Sequence, residues 1–108
     1  MVSTGWFHTC GITSSGNVKC WGRDNYGQAS PPSGTFVTVS AGEEHTCGIT
    51  TSGSVECWGL DADDLSSPPS STFVTVSSGY RHNCGVTTSG SMECWGENNY
   101  GETIPPEL

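Results

Sequence analysis

The stretch HTCGITSSGNVKCWG at residues 8–22 returns as HTCGITTSGSVECWG at 45–59 and as HNCGVTTSGSMECWG at 82–96. The step is 37 residues each time, and it carries Cys10 to Cys47 and Cys84, Cys20 to Cys57 and Cys94, and Trp21 to Trp58 and Trp95. Working outward, it also relates Gly5, Gly42 and Gly79, then His8, His45 and His82, then the Pro-Pro pairs at 31–32, 68–69 and 105–106. FVTVS recurs unchanged at 36–40 and 73–77. One repeat domain therefore spans 1–108, in units of about 1–34, 35–71 and 72–108. Repeats of this length are supersecondary units that bury their apolar faces against one another.

The period inside a unit is that of strands. Phe36, Thr38 and Ser40 alternate with Val37, Val39 and Ala41, which predicts one strand. His45–Thr50 and Ser54–Trp58 predict two more, joined by a hairpin loop at Thr51-Ser52-Gly53. Gly59 to Pro69 reads as loop or a short outer strand, the Pro pair suiting a sheet edge. No segment has a helical period. Three or four short antiparallel strands per unit make one propeller blade, so the expected fold is all-β, with three blades per chain.

Hairpin register then predicts the cysteine chemistry. Ile12 opposite Val18 places Cys10 opposite Cys20, Cys47 opposite Cys57 and Cys84 opposite Cys94. Directly opposed Cβ atoms lie ~4.5–5.5 Å apart, close to what a disulfide needs, so one bridge per unit is expected. Each closes a short loop worth about 2.8 kcal/mol in the chain-entropy model. Zinc is the rival reading, but Cys-x9-Cys lacks the short ligand gap of zinc sites. Disulfides imply an oxidising, extracytoplasmic compartment; no signal peptide precedes Met1. The same register puts Cys10, Ile12, Val18 and Cys20 on one face, with Thr9, Gly11, Lys19 and Trp21 on the other. Trp21 is expected to lie diagonally over Gly11. Both faces are worth burying, which favours stacked blades over an isolated sheet.

Composition fits a thin core that needs such help. Only 32% of residues are hydrophobic and 13% are charged, against 15 glycines, where a globular domain usually has ~45–50% apolar residues. Four Trp, three Tyr, three Phe and six Cys argue against disorder. A net charge of −8 opposes binding to nucleic acid, and no apolar run approaches the ~20 residues of a membrane-spanning helix.

His8–Gln28, HTCGITSSGNVKCWGRDNYGQ, resembles the regulator-of-chromosome-condensation type of repeat, with its spaced G, H, G-x-V and W-G and its closing G-Q. The VTVSAGEEH and W-G-x-x-N-Y-G stretches look closest to the short-repeat bacterial propellers that inhibit β-lactamases. The resemblance implies a propeller, commonly of seven blades, and exposed aromatic loop residues that contact an enzyme. Departures are the Cys pairs, the count of three units, and Asp61-Ala62-Asp63-Asp64 in place of Asp24-Asn25-Tyr26-Gly27 and Asn98-Asn99-Tyr100-Gly101. Met1 aligns with Thr38, leaving the first FVTVS strand a stub at Met1–Ser3. Either the chain was cut from a longer array or another element completes that edge. Three blades do not close a ring, so head-to-tail assembly is expected. Two chains give six blades and three give nine; a homodimer is the first expectation, a homotrimer the second.

Loop positions carry the candidate sites. The tip after each repeated Gly reads Trp6-Phe7, Glu43-Glu44 and Tyr80-Arg81, and variation confined to loops on a rigid scaffold marks binding surfaces; the plain alternative is that Trp6 and Phe7 cover a blade end. Asn25, Tyr26, Asn98, Asn99 and Tyr100 would suit a sugar, or simply form turns. Asp61, Asp63 and Asp64 offer oxygen ligands to calcium without the Gly and distal Glu of a complete loop, so a solvated acidic loop is the simpler reading and no metal is assigned. His8, His45 and His82 are expected to make the same backbone hydrogen bond, each within its own blade, rather than to form a metal or proton-relay ring. No cofactor and no catalytic group is assigned, because a disulfide leaves no thiolate. The expected function is a non-enzymatic binding module recognising a protein. A multivalent sugar-binding propeller, or a self-assembling unit with no specific ligand, is the alternative.

Overall fold

The computed structural model describes residues 1–62, 65–98 and 104. Asp63, Asp64, Asn99, Tyr100, Gly101 and the Pro105-Pro106 pair lie outside the described residues. Among the described residues nine strands form three sheets, each a three-stranded antiparallel meander. The first sheet is β1 (Val2–Thr4), β2 (His8–Ile12) and β3 (Val18–Gly22). The second is β4 (Phe36–Ala41), β5 (His45–Thr50) and β6 (Val55–Gly59); the third is β7 (Phe73–Ser78), β8 (His82–Thr87) and β9 (Met92–Gly96). Among the described residues between Leu60 and Pro69 there is no outer strand, only turns and irregular backbone.

The hairpins have the register expected from sequence. Ile12 pairs with Val18 and Cys10 with Cys20, and the pattern repeats at Cys47–Cys57 and Cys84–Cys94. All three pairs are disulfide-bonded, with Cα atoms 4.0–4.1 Å apart.

Simple alternation fails in β4 and β7. The register shifts between Phe36 and Thr38, and again between Phe73 and Thr75. A bulge of this kind moves the following side chains to the opposite face. Phe36, Val39 and Ala41 are therefore all buried, while Val37 is exposed.

The bulge also decides what covers the hairpin glycine. At Gly48 a Cβ would stand 2.8 Å from Cδ2 of Phe36, and at Gly85 2.6 Å from Cδ2 of Phe73. The first-strand Phe fills this place, not the Trp; Trp58 meets the Phe36 ring at 5.9 Å and Trp95 the Phe73 ring at 5.8 Å. The first sheet has no such Phe, and the expected seat of Trp21 over Gly11 is not adopted: Trp21 is 57% exposed.

Phe and Trp face outward from their own sheet and complete the core of the sheet before. Phe36, Val39 and Trp58 cluster with Cys10 and Val18 of the first sheet. Phe73, Val76 and Trp95 cluster with Cys47, Ile49 and Val55 of the second. Disulfide face against aromatic face is thus the junction, and it occurs twice. Backbone N–H groups tie the same junctions, Ala41 N donating to Ser3 Oγ and Ser78 N to Ser40 Oγ.

Candidate functional site

The repeated Gly-x-x-His tips lie at one end of the sheets. Gly5 N donates to His8 O, Gly42 N to His45 O and Gly79 N to His82 O, so each tip presents two residues. Trp6 N further donates to Gly42 O, fixing the first tip against the second.

These contacts bring six of the residues singled out from sequence into one patch built from all three sheets. The Trp6 ring lies 4.9 Å from that of Tyr80 and 6.3 Å from that of Phe7. Trp6, Phe7 and Tyr80 are all exposed. Arg81 extends over the Tyr80 ring at 5.5 Å and pairs with the second tip, Nε 3.3 Å from Glu43 Oε1 and Nη2 3.5 Å from Glu44 Oε1.

Arg23 belongs to the patch although the sequence reading passed over it. Its backbone N donates to Phe7 O, and its guanidinium stands 5.1 Å over the Phe7 ring. The available signal was variability, since the residue after Trp-Gly is Arg23, Leu60 and Glu97 in the three copies. Both arginines of an acidic chain therefore border the same three aromatic rings.

The Asn/Tyr loop is separate. Tyr26 is exposed, but none of the ring contacts among the described residues joins it to Trp6, Phe7 or Tyr80. Gln28, fully buried, organises the loop: its Oε1 accepts from Tyr26 N, and its Nε2 donates to Asn25 Oδ1. Asn25 thus serves the turn. Asp24 does likewise, accepting from Ser30 Oγ and Ala29 N, and these bonds hold its carboxyl below the usual range. Asp61 repeats the arrangement with Ser66 N and Ser67 Oγ, so its carboxylate is engaged by its own loop. Asp63, Asp64, Asn99 and Tyr100 lie outside the described residues. Among the described residues no group of three His, Cys, Asp or Glu could hold a metal ion.

Each histidine accepts the same backbone bond within its own blade, from the tip glycine N–H, as expected. The imidazoles of His8 and His45 in addition reach to the next sheet. His8 Nε2 lies 2.7 Å from Thr46 Oγ1, and His45 Nε2 lies 2.8 Å from Asn83 Oδ1. Thr46 spends its one proton on Gln28 O, so the imidazole of His8 is the donor and carries its hydrogen on Nε2. Burial lowers both histidine pKa values, that of His45 to about 4. The sequence hid this because the partner, Thr46 or Asn83, lies one sheet away.

Family comparison agrees with this architecture. The regulator of chromosome condensation (RCC1) repeat matches residues 2–28, 36–63 and 73–102. The chain belongs to that repeat family. Its fold is also similar to the CRINKLY WD40 ectodomain of the receptor kinase ACR4 from Arabidopsis thaliana, with 32% identity, a TM-score of 0.74, and coverage of 89% of this chain and 35% of that one. The ectodomain of the Physcomitrella patens receptor kinase CR4 gives 26% identity and a TM-score of 0.77, over 97% and 31% of the two chains. Prp20p from Saccharomyces cerevisiae shares the fold at 15% identity and a TM-score of 0.79, over 99% and 34%. The chain spans about a third of the length of these structures. A search of curated proteins finds no match.

Proposed function

We propose that the chain is a non-enzymatic binding module, an oligomeric propeller that recognises a protein partner through its blade tips. The observation that carries this reading is the contact of Trp6 with Tyr80, because it joins tips of the first and third sheets into one exposed aromatic surface. Trp, Tyr and Arg are the side chains enriched among interface anchors, and here Arg23 and Arg81 flank the rings. Exposed apolar rings grouped in this way mark an interaction site on a protein surface. Prp20p, of the same fold, is described with binding to Gsp1p and histones, which supports a protein partner as the class. The sugar-binding alternative has less support, since Asn25 is engaged in its own turn.

Three disulfides and the likeness to two receptor ectodomains favour an oxidising, extracellular setting. The ring is completed by a second chain, giving six blades. The test is a pull-down from extracellular extract with the native chain and with a Trp6→Ala/Tyr80→Ala variant. A specific partner retained by the first and lost by the second is the expected result. Equal retention by both overturns the reading.

A further inference from the structure

Two linkers carry the chain from one sheet to the next, and each contains Ser-Pro-Pro-Ser, at 30–33 and 67–70. Each is tied at its start and at its end. Ser30 Oγ donates to Asp24 Oδ2 at 2.6 Å, and Thr35 Oγ1 shares a hydrogen bond with Thr51 Oγ1 at 3.1 Å. In the second linker Ser67 Oγ donates to Asp61, Ser71 Oγ donates to Glu93 Oε2, and Thr72 Oγ1 bonds with Thr88 Oγ1. Between these anchors Ser33 and Ser70 are exposed. Neither their hydroxyls nor their backbone groups bond to any described residue. The prolines in front of them have no N–H to donate and bias the segment toward an extended chain.

We propose that Ser33 and Ser70 are acceptor sites for O-linked glycosylation, each taking a neutral sugar from a nucleotide-activated donor. The proposal goes beyond partner recognition at the tips and draws only on the extracellular setting. In the reaction Ser Oγ attacks the anomeric carbon of the donor. The Oγ–C1 bond forms, the bond from C1 to the diphosphate oxygen breaks, and the nucleoside diphosphate leaves with the electron pair. The hydroxyl proton passes to solvent or to a base of the transferase, and nothing is oxidised or reduced. Serine beside proline in an accessible, weakly bonded segment is the composition such enzymes take. A phosphate is disfavoured at the same hydroxyls. It would add a dianion to a chain of net charge −8, beside the carboxylates that hold the neighbouring serines. Other exposed hydroxyls suit the reaction less. Ser14 and Ser91 stand in tight hairpin turns, closed by Gly16 N donating to Thr13 O and by Gly90 N donating to Thr87 O. Thr4, Thr75 and Ser77 lie within strands. The third unit has Glu107 where Ser33 and Ser70 stand, so it offers no equivalent acceptor. Gly34 O accepts from Asn17 Nδ2 of the first hairpin loop, which places Ser33 toward the hairpin end of the sheets, away from Trp6 and Tyr80.

To test this, the full oxidised chain is incubated with UDP-N-acetylgalactosamine and a polypeptide N-acetylgalactosaminyltransferase. Intact mass and electron-transfer fragmentation then locate the additions. The expected result is a single N-acetylhexosamine on each of Ser33 and Ser70 and none on Ser30 or Ser67. Ser33→Ala/Ser70→Ala is expected to lose the incorporation, and Ser33→Thr/Ser70→Thr to keep it. Both positions face solvent; mass spectrometry for the disulfides and circular dichroism check that each variant is folded. A native chain that takes no sugar overturns the proposal. So does sugar placed on the hairpin hydroxyls at 50–54 or 87–91, or incorporation that the Ala variant leaves unchanged. Trp6→Ala/Tyr80→Ala is expected to accept sugar as the native chain does, so loss of partner binding and loss of sugar acceptance are decided separately.

Discussion

His45 donates through Nε2 to Oδ1 of Asn83, 2.8 Å away on the neighbouring sheet. The bond spans a junction that is otherwise apolar, and Asn83 in turn donates through Nδ2 to Leu65 O and accepts from Ser78 Oγ. One amide thereby connects the second sheet, the third sheet and the loop between them.

Acid should loosen this junction. Burial lowers the His45 pKa from 6.5 to about 4, with His8, His82 and Arg81 adding unfavourable charge and the Asn83 bond opposing. Because the folded pKa is the lower one, the unfolded chain binds the proton first as pH falls. Stability is therefore constant above about pH 6.5 and declines between there and pH 4, by about 3 kcal/mol from this residue. His8 contributes in the same direction. Urea melts across this range check it, and His45→Gln, which keeps a donor without a titrating ring, should flatten much of the slope.

The two buried tryptophans should respond differently to the same change. Trp58 Nε1 donates to Gln28 O at 3.0 Å, whereas the buried Trp95 Nε1 has no partner among the described residues. Trp→Phe leaves a similar void at each site. Trp58→Phe should cost about 1 kcal/mol more than Trp95→Phe in chemical denaturation.

A methyl group at one repeat position should be harmful in the second sheet and harmless in the first. At Gly48 it meets Phe36 Cδ2 at 2.8 Å and Thr38 O at 3.0 Å; at Gly11 its nearest neighbour is Met1 O at 3.4 Å. Gly48→Ala should lose about 1–3 kcal/mol by overpacking. Gly11→Ala should be neutral or mildly stabilising, since Gly in a strand costs about 0.5–1 kcal/mol relative to Ala. Thermal denaturation compares them directly.

Reduction should add six protons by mass and lower the unfolding midpoint sharply. Replacing one Cys pair by Ala should cost about 2.8 kcal/mol from loop entropy alone, a large part of what a domain of this size has. Denaturant titration of the Cys47→Ala/Cys57→Ala variant gives the figure.

Strand order, hairpin register and all three bridges were legible because they depend on local spacing. The short hairpin loop set the register that places Cys10 opposite Cys20, and the pairing was inferred from that register. The tip residues were legible as variable positions in a constant frame. What stayed hidden lies between sheets. The bulge at Val37 is invisible in an unbroken FVTVS alternation, yet it puts Phe36 over Gly48, on the face that packs with Trp58 against the first sheet. His8 and Thr46 are 38 residues apart, and nothing local announces that they bond. Arg23 came to Phe7 through a backbone bond that only the folded tip creates.

The account rests on the second and third sheets each lending a Phe and a Trp to the sheet before. Nuclear Overhauser contacts from the indole protons of Trp58 and Trp95 test this most directly. Cross-peaks from Trp58 to the Val18 methyls and Cys10 Hβ, and from Trp95 to the methyls of Ile49 and Val55, are the expected result. Indole cross-peaks confined to residues of the same repeat, with none to the preceding one, would contradict it.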